Sequence, residues 1–171
     1  MTGYVQVYTG DGKGKTTAAL GLIVRAVGAG LRVYLGQFLK NDSTSEIRLL
    51  RGRCPEVTVE AFGAGRFVRG KVSAREKARG ELGLDHIRNA MTSGKYDIVI
   101  CDEINVAAHF GAIAVADILR LIDIKPDNVE LVLTGRRAEK RVIARSDLVV
   151  EMKNVKHYFS TGAKARRGIE K

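Results

Sequence analysis

Short segments rich in apolar residues alternate along the chain with longer segments in which apolar residues recur every three or four positions. Short apolar segments are typical of strands, and a recurrence near 3.6 residues is typical of helices that pack one face on a sheet. The pattern predicts strands over residues 4–8, 32–38, 57–62, 96–103, 129–135 and 147–152. It predicts helices over residues 15–29, 45–52, 73–94, 115–122 and 137–145, the third opened by a capping box at Ser73-Ala-Arg-Glu76.

The strand segments indicate the kind of sheet. The segment YDIVICDE (96–103) is apolar almost throughout, without the alternation of a strand that has one solvated face. Such strands, alternating with helices, predict an α/β protein with a mostly parallel sheet and helices on both faces. We see no internal repeat, low-complexity segment or linker, so we expect residues 1–171 to form a single domain.

A glycine-rich loop follows the first predicted strand. Residues 9–17 read TGDGKGKTT, and their ending in Gly14-Lys15-Thr16 matches the phosphate-binding pattern G-x-x-x-x-G-K-[ST]. Between a strand and a helix, such a loop directs backbone N–H groups and the positive helix end at an anion. Lys15 would contact phosphate oxygens, and the Thr16 hydroxyl would bind Mg²⁺. The first glycine of the pattern is replaced by Thr9, which is a departure from the ordinary loop.

Two carboxylates end the predicted strand over residues 96–103. Asp102 lies where the ligand crevices of parallel sheets open, and it could hold a metal through water, opposite Thr16. Glu103 could activate a water molecule, organise the metal shell or contact a substrate, and the residues alone leave these alternatives open. Arg136 follows the next strand, where it could neutralise phosphate charge or face solvent.

The chain carries a net charge of +10, with its basic residues concentrated in two segments. Residues 134–171 contain eleven Lys and Arg against four Asp and Glu, and residues 51–79 contain eight against three. Basic fields of this kind suit a nucleoside triphosphate, a phosphate-bearing cofactor or a nucleic acid. A basic solvated surface is the common alternative, so the charge alone decides little.

The sequence also bears on the cellular compartment. No apolar run approaches the roughly 20 residues that a membrane-spanning helix needs, and the N-terminus lacks the pattern of a signal peptide. Cys54 and Cys101 have no metal-ligand spacing, and we expect both to be reduced and buried. We therefore expect a cytoplasmic protein without a membrane partner.

Six segments together resemble one known family. They are TGDGKGKTTAALG, VYLGQFLK, VICDE, LTGR, SDLVVEM and VKHYFSTGAKARRGIE, in this order and nearly from end to end. In all of them the chain resembles the ATP:corrinoid adenosyltransferases (cob(I)alamin adenosyltransferases) of the CobA/CobO/BtuR type. The phosphate loop without its first glycine and the Lys-His…Gly-Ile-Glu tail make the resemblance specific when taken together.

The resemblance implies a homodimeric RecA-like P-loop enzyme that transfers the 5′-deoxyadenosyl group of ATP to the Co(I) centre of a reduced corrinoid, releasing triphosphate. It implies Mg²⁺ or Mn²⁺ as the metal, an electron-donor flavoprotein as a candidate partner, and no nucleic acid. Co(I) is a strong nucleophile, so the protein must position two substrates and stabilise charge rather than supply a base. We hypothesise that the altered loop, with Thr9, Gly10 and Gly12, shifts the triphosphate so that the 5′ carbon faces the corrin.

Under this resemblance the expected site residues form three groups. The catalytic group is Lys15, Thr16, Asp102, Glu103 and Arg136. The residues expected to bind ATP or corrinoid are Thr9, Gly10, Asp11, Gly12, Lys13, Gly14, Lys15, Thr16, Thr17, Gln37, Lys40, Lys156, His157, Phe62 and Phe67. The metal is expected to be held by Thr16 and Asp102.

One segment departs from the family pattern. Family members typically read Gly-Phe-Thr-Trp there, with aromatic side chains that pack under the corrin and displace its lower axial ligand. This chain has Gly65-Arg66-Phe67-Val68 at the matching place. Phe62 or Phe67 could supply the apolar wedge, whereas Arg66 is unexpected, so the mode of corrinoid binding is left open.

Two other functions are compatible with the same features. A RecA-like ATPase or small-molecule kinase would use the same loop and Asp102, with Glu103 activating a water or hydroxyl, and would release ADP. A nucleic-acid-binding module would use the +10 charge and bind with steeply salt-dependent affinity. The chain shows no recognition motif for nucleic acid and has five Tyr, five Phe and no Trp for base stacking. Motif order and context therefore favour the adenosyltransferase.

Overall fold

A parallel sheet of six strands forms the centre of the structure, a computed structural model that describes residues 2–40, 44–63, 72–162 and 164–170. The strands are β1 (Val5–Thr9), β2 (Val33–Gln37), β3 (Val57–Ala61), β4 (Ile98–Asp102), β5 (Glu130–Thr134) and β6 (Leu148–Glu151). Their order across the sheet is β3-β2-β4-β5-β1-β6, and each neighbouring pair is parallel.

Helices cover both faces of this sheet. They are α1 (Lys15–Gly28), α2 (Ser45–Arg53), α3 (Ala74–Thr92), α4 (Ile104–His109), α5 (Val115–Ile124) and α6 (Lys140–Ala144), with a 3₁₀ helix at Tyr158–Thr161. Helices α1 and α2 contribute to the core on one face, and α3 to α6 contribute to the core on the other. The predicted α/β class, with a parallel sheet between two helical layers, is confirmed.

Strand β4 explains why the central segments read as apolar throughout. Val99 and Cys101 belong to the core on the α3 side, and Ile98 and Ile100 belong to the core on the α1 side. All four side chains are buried. A strand that is buried on both faces needs apolar residues at successive positions, because successive side chains point to opposite faces.

The strand order positions a crevice at the carboxyl ends of the strands, along one side of the sheet. Because β1 and β2 are not neighbours, the connection through α1 passes over β5 and β4. The carboxyl ends of β1, β5, β4 and β2 therefore lie side by side, and the segments that follow them meet there. Ligands of open parallel sheets bind at this edge, where the strand order reverses.

The predicted capping box at the start of α3 is present. Ser73 Oγ accepts a hydrogen bond from Glu76 N at 3.2 Å, and Glu76 Oε2 accepts one from Ser73 N at 2.8 Å. The two residues satisfy each other's free N–H groups, which fixes the first turn of the helix.

Two helices differ from the prediction. Strand β4 ends at Asp102, and Glu103, with φ 61°, turns the chain directly into α4, a six-residue helix that the sequence pattern does not predict. The basic helix α6 begins later than predicted because Arg137 has φ 58°, outside the helical region. The side chain of Glu139 then caps α6 by accepting a hydrogen bond from Arg141 N at 2.9 Å.

The cysteine prediction is correct in part. Both cysteines are free, but Cys101 is buried whereas Cys54 is partly exposed, because it lies at the end of α2. In the described ranges we find no helix with the length and apolar content needed to cross a membrane.

Candidate functional site

The phosphate loop (residues 10–14) connects β1 to α1 and packs against the backbone that follows β6. Gly12 N donates a hydrogen bond to Met152 O at 2.6 Å, and Met152 N donates one to Thr9 O at 2.8 Å. A Cβ atom on Gly10, which has φ 92°, would lie 2.5 Å from Met152 O. A Cβ atom on Gly12 would lie 2.7 Å from the carbonyl oxygen of the following residue of that backbone, Lys153. These positions require glycine because the other backbone leaves no space for a side chain.

Thr9 occupies the position where the ordinary pattern has its first glycine. It is the last residue of β1 and is 8% exposed. Its Oγ1 accepts a hydrogen bond from Ala138 N at 3.2 Å, in the segment that follows β5. Thr9 therefore ends β1 and holds the segment after β5 by a hydrogen bond. The turn with positive φ begins one residue later, at Gly10.

Lys15, the first residue of α1, directs its ammonium group into the phosphate loop. Its Nζ donates hydrogen bonds to Gly10 O at 2.7 Å and to Gly12 O at 2.6 Å. Burial and the positive charge of Arg136 lower the pKa of Lys15, against weaker opposition from Glu103 and a second acidic neighbour. A phosphate in the loop would offer this ammonium a charged acceptor in place of the carbonyl groups.

Asp102, at the end of β4, is fully buried and accepts hydrogen bonds from three neighbouring elements. Thr134 Oγ1 donates to its Oδ1 at 2.6 Å, and Thr16 Oγ1 donates to the same oxygen at 3.0 Å. Lys40 Nζ and Gln37 Nε2 donate to its Oδ2 at 2.7 and 3.0 Å. We call these five residues the Asp102 cluster.

The Asp102 cluster keeps a negative charge inside the protein. Burial alone would raise the pKa of Asp102, but the charge of Lys40 and the hydrogen bonds from the cluster hold it below the ordinary value. Lys40 responds in the opposite way: burial would lower its pKa, and the carboxylates of Asp102 and Glu103 raise it instead. The two residues therefore form a charged pair at neutral pH.

Glu103 lies beside this pair in a backbone conformation that residues with side chains rarely adopt, with φ 61°. Its N–H donates to Thr134 Oγ1 at 3.0 Å, and its Oε1 lies 3.7 Å from Lys40 Nζ. Burial raises the pKa of Glu103; Lys40 opposes this and Asp102 adds to it. Glu103 can therefore take up a proton more readily than Asp102, at the edge of the same crevice.

Arg136, Asp11 and Thr17 also belong to the predicted nucleotide-binding set. Arg136 is exposed, and its charge lowers the pKa of both Lys15 and Glu103, so the guanidinium lies close to the crevice. Asp11 and Thr17 are exposed on either side of Lys15 in the sequence, and the charge of Asp11 raises the pKa of that lysine.

The residues predicted to hold Mg²⁺ fit such an ion. Thr16 Oγ1 and Asp102 Oδ1 lie 3.0 Å apart, and an ammonium group, that of Lys40, already contacts both residues as a cation would. Within the described residues, no group of three or more His, Cys, Asp or Glu could enclose a metal. The donors fit Mg²⁺, which usually takes one or two protein ligands and completes its shell with phosphate oxygens and water.

Lys13 and the C-terminal tail lie next to each other. Lys13 Nζ donates to Ile169 O at 3.4 Å and lies 3.9 Å from Glu170 Oε1. Glu170 also accepts hydrogen bonds from Arg166 Nη2, at 3.0 Å, and from the Tyr158 hydroxyl group. These two donors lower the pKa of Glu170 to about 2. The tail, for which the sequence predicts a contact with phosphate or nucleobase, thus reaches the phosphate loop.

Lys156 and His157 lie at the start of this tail. Lys156 is exposed, and His157 is partly buried with its ring centroid 4.9 Å from that of Tyr158. Their predicted roles in binding stay predictions.

Thr134 is the member of the site that the sequence analysis did not identify. Its hydroxyl group donates to Asp102 and accepts from the backbone of Glu103, so it links β5 to β4. A polar residue at the last position of an apolar strand was the available signal. Its use required knowing that β5 lies beside β4, which the hydrophobic pattern does not specify.

Almost the whole chain matches the model of one known protein family. The model of the family described as ATP:corrinoid adenosyltransferase BtuR/CobO/CobP matches residues 1–170. The chain belongs to the ATP:corrinoid adenosyltransferase family. This confirms the family predicted from the six sequence segments.

Individual members of the ATP:corrinoid adenosyltransferase family are similar over almost the whole chain. The corrinoid adenosyltransferase of Pseudomonas aeruginosa is 33% identical over 169 residues, which are 98% of this chain and 83% of the relative. That of Sinorhizobium sp. is 34% identical over 171 residues, 98% of this chain and 80% of the relative. That of Escherichia coli K12 is 31% identical over 169 residues, which are 98% of this chain and 85% of the relative.

The aromatic residues that the sequence analysis predicts to contact a corrin are described only in part. Phe62 is 6% exposed, and its ring centroid lies 5.7 Å from that of Phe38 and 5.5 Å from that of His86. Its side chain thus packs between Phe38 and helix α3. Its predicted contact with the corrin stays a prediction. Phe67 and the segment Gly65-Arg66-Phe67-Val68 lie outside the described residues.

Proposed function

We propose that this chain transfers the 5′-deoxyadenosyl group of ATP to the Co(I) centre of a reduced corrinoid and releases inorganic triphosphate. The observation that carries the proposal is the family match over residues 1–170, which includes every element of the site. The geometry supports it, because the phosphate loop and the Asp102 cluster meet at the edge of the sheet where nucleotides bind. We also propose that residues 1–171 act as one domain.

The proposed reaction is a displacement at carbon. The Co(I) electron pair attacks the 5′ carbon of ATP, a Co–C bond forms, and the bond between the 5′ carbon and its oxygen breaks. The electron pair of that bond leaves with triphosphate, and cobalt is oxidised from Co(I) to Co(III). No proton is transferred, so no residue of the site has to act as a general base.

The residues of the site would stabilise the leaving triphosphate. Lys15 and the backbone N–H groups of the phosphate loop would bind its charged oxygens, with Lys13 and Arg136 adding positive charge. Thr16 and Asp102 would hold Mg²⁺ or Mn²⁺, which neutralises phosphate charge when bound. Positioning of the two substrates supplies the remainder of the catalysis.

The loop with Thr9 would direct the nucleotide differently from a loop that serves phosphoryl transfer. In our proposal, the triphosphate is held so that the 5′ carbon, rather than the γ-phosphorus, faces the crevice. The fixed packing of Gly10 and Gly12 against the backbone after β6 supports a loop of defined shape. A structure with bound ATP tests this: the usual phosphate placement with a buried 5′ carbon would refute it.

The remaining assignments extend the same proposal. Gln37, Lys40 and Glu103 would face the substrates, Lys156 and His157 would contact ATP or corrinoid from the tail, and Phe62 or Phe67 would contact the corrin. The chain would act as a cytoplasmic homodimer and receive its electron from a flavoprotein. Sedimentation equilibrium tests the dimer, and reduction of bound Co(II) by candidate flavoproteins tests the donor.

The decisive experiment is incubation of the protein with ATP, Mg²⁺ and chemically reduced cobalamin. We expect light-sensitive adenosylcobalamin together with triphosphate, and no adenosylcobalamin when ATP or protein is omitted. ADP and orthophosphate without a Co–C bond would instead support an ATPase or kinase, for which Glu103 is the candidate activator of a water or hydroxyl group.

A further inference from the structure

The ammonium group of Lys40 lies at the place where the metal would bind. Its Nζ is 2.7 Å from Asp102 Oδ2 and 3.0 Å from Thr16 Oγ1, the two side chains proposed to hold the metal. It is also 3.7 Å from Glu103 Oε1. An ammonium group that belongs to the protein thus lies within 3.7 Å of an oxygen atom from each of three side chains, those of Asp102, Thr16 and Glu103.

The position of Lys40 is set by its backbone. The residue before it, Leu39, has φ 58°, and Lys40 O accepts a hydrogen bond from Gly63 N at 2.9 Å. Phe38 N donates to Asp102 O at 2.9 Å, which attaches the end of β2 to the end of β4. The chain therefore leaves β2 in one direction, with the Lys40 side chain directed at Asp102.

The side chain of Lys40 reaches the protein surface. The Lys40 side chain is 30% exposed, whereas that of Asp102 is fully buried, so the lysine lies between the carboxylate and solvent. Its flexible four-carbon stem allows the ammonium group to turn away while the backbone stays fixed. A divalent ion on Thr16 and Asp102 would repel an ammonium group in hydrogen-bond contact with the same oxygens, so the two cations exclude each other.

We propose that Lys40 is a tethered cation that keeps divalent metal out of the nucleotide-free site and leaves Asp102 when triphosphate arrives. The inference rests on the proposed nucleotide site, because the negative charge of triphosphate is what draws the ammonium group away. Thr16 and Asp102 would then be free to hold the metal that accompanies the nucleotide. Lys40, after it has turned, adds its positive charge to the triphosphate that will leave.

Metal binding to the nucleotide-free protein tests this role. Mn²⁺ binding is measured by electron paramagnetic resonance on the wild type, Lys40→Gln, Lys40→Met and the control Lys40→Arg, without ATP or corrinoid. We expect Lys40→Gln and Lys40→Met to bind Mn²⁺ at least tenfold more tightly than the wild type, because the competing charge is gone. Lys40→Arg keeps that charge, so it should bind as weakly as the wild type.

Two further measurements locate the effect. Adding Asp102→Asn to Lys40→Gln should abolish the gain, which assigns the bound Mn²⁺ to this site. With ATP present and corrinoid absent, the difference between the wild type and Lys40→Gln should shrink, because the nucleotide displaces the lysine. Lys40→Gln keeps a hydrogen-bond donor for the buried carboxylate, so it carries the test if Lys40→Met does not fold.

Equal Mn²⁺ affinity of folded wild type and Lys40→Gln in the absence of nucleotide would overturn the proposal. So would a gain that persists in the double variant with Asp102→Asn. Neither measurement involves turnover. A failure to form adenosylcobalamin would therefore count against the proposed function alone and leave the result for Lys40 standing.

Discussion

The phosphate loop is shaped by backbone contacts, whereas the neighbouring Asp102 cluster is held by side-chain hydrogen bonds to one carboxylate. In the loop, Gly10 and Gly12 fit against Met152 and Lys153 with no space for a Cβ atom. In the cluster, strands β2, β4 and β5 and helix α1 each contribute to the hydrogen bonds of Asp102.

This difference indicates which changes each region tolerates. The loop should respond chiefly to added volume, because its shape depends on close approach of two backbones. The Asp102 cluster should respond chiefly to lost charge, because its geometry depends on a buried ion. Lys15 belongs to both descriptions, since its ammonium group contacts the loop backbone and it acts through its charge.

The largest effect on activity is expected from Lys15→Ala. It removes the ammonium group that would bind triphosphate, and the loss of one such donor costs about 10²–10³-fold in rate. The measurement is kcat/KM for ATP, with Lys95→Ala at the amino end of β4 as the control. Near-normal turnover of Lys15→Ala would remove this lysine from the proposed site.

Asp102→Asn should have the largest effect on stability. It keeps the size of the side chain but leaves the charge of Lys40 without its nearest partner, at a cost of about 3 kcal/mol in the free energy of unfolding. Urea denaturation measures it. The same change at Asp85, which is exposed and paired with Arg88, should cost under about 1 kcal/mol. If both substitutions lower the unfolding free energy equally, burial of the Asp102 charge does not account for its contribution to stability.

The contribution of Asp102 should also depend on pH. Its folded-state pKa lies below the ordinary 3.8, so the stabilisation is complete above that value and is lost as the pH falls through the lower, folded-state value. The difference in unfolding free energy between wild type and Asp102→Asn should therefore stay constant from pH 7 to about 5 and decline in strong acid. A difference that grows on acidification would show the opposite shift.

Gly12→Ala tests the backbone packing of the loop. The new Cβ atom would meet Lys153 O, and such overpacking costs about 2 kcal/mol. Gly52→Ala is the matched control, because nothing lies within 4 Å of its Cβ position in α2. There the substitution should be neutral or stabilise by about 0.5–1 kcal/mol. Thermal unfolding of both variants provides the comparison.

The smallest effect is expected at Thr9. Thr9→Val keeps the shape of the side chain but leaves Ala138 N without its acceptor, at a cost of about 1 kcal/mol. Thr9→Ser keeps the acceptor and should lie closer to the wild type in urea denaturation. If the two variants are equally stable, the hydrogen bond to Ala138 is not what favours threonine at this position.

The same comparison explains what could be predicted from the sequence. The phosphate loop was recognisable because its residues are consecutive and their spacing carries the chemistry. The strands were recognisable because β4 and its neighbours are buried on both faces. Helix α4 was missed because it has only six residues, Ile104–His109, which are too few to show a helical period.

The Asp102 cluster could be predicted only in part, because its members come from separate segments. Asp102 itself was evident at the end of a buried strand, and the resemblance to the family indicated Gln37 and Lys40. Thr134 was missed because its role depends on β5 lying beside β4. The contact of Lys40 Nζ with Thr16 and Asp102 depends on the turn at Leu39, which no spacing in the sequence reveals.

The most direct test of displacement at carbon uses ATP labelled with ¹⁸O at the bridging 5′ oxygen. The enzyme is given this ATP with Mg²⁺ and chemically reduced cobalamin, and the products are analysed by mass spectrometry. We expect the ¹⁸O label to appear in triphosphate, and we expect adenosylcobalamin to carry no label. Label that stays in ADP, with orthophosphate as the other product, would contradict displacement at carbon.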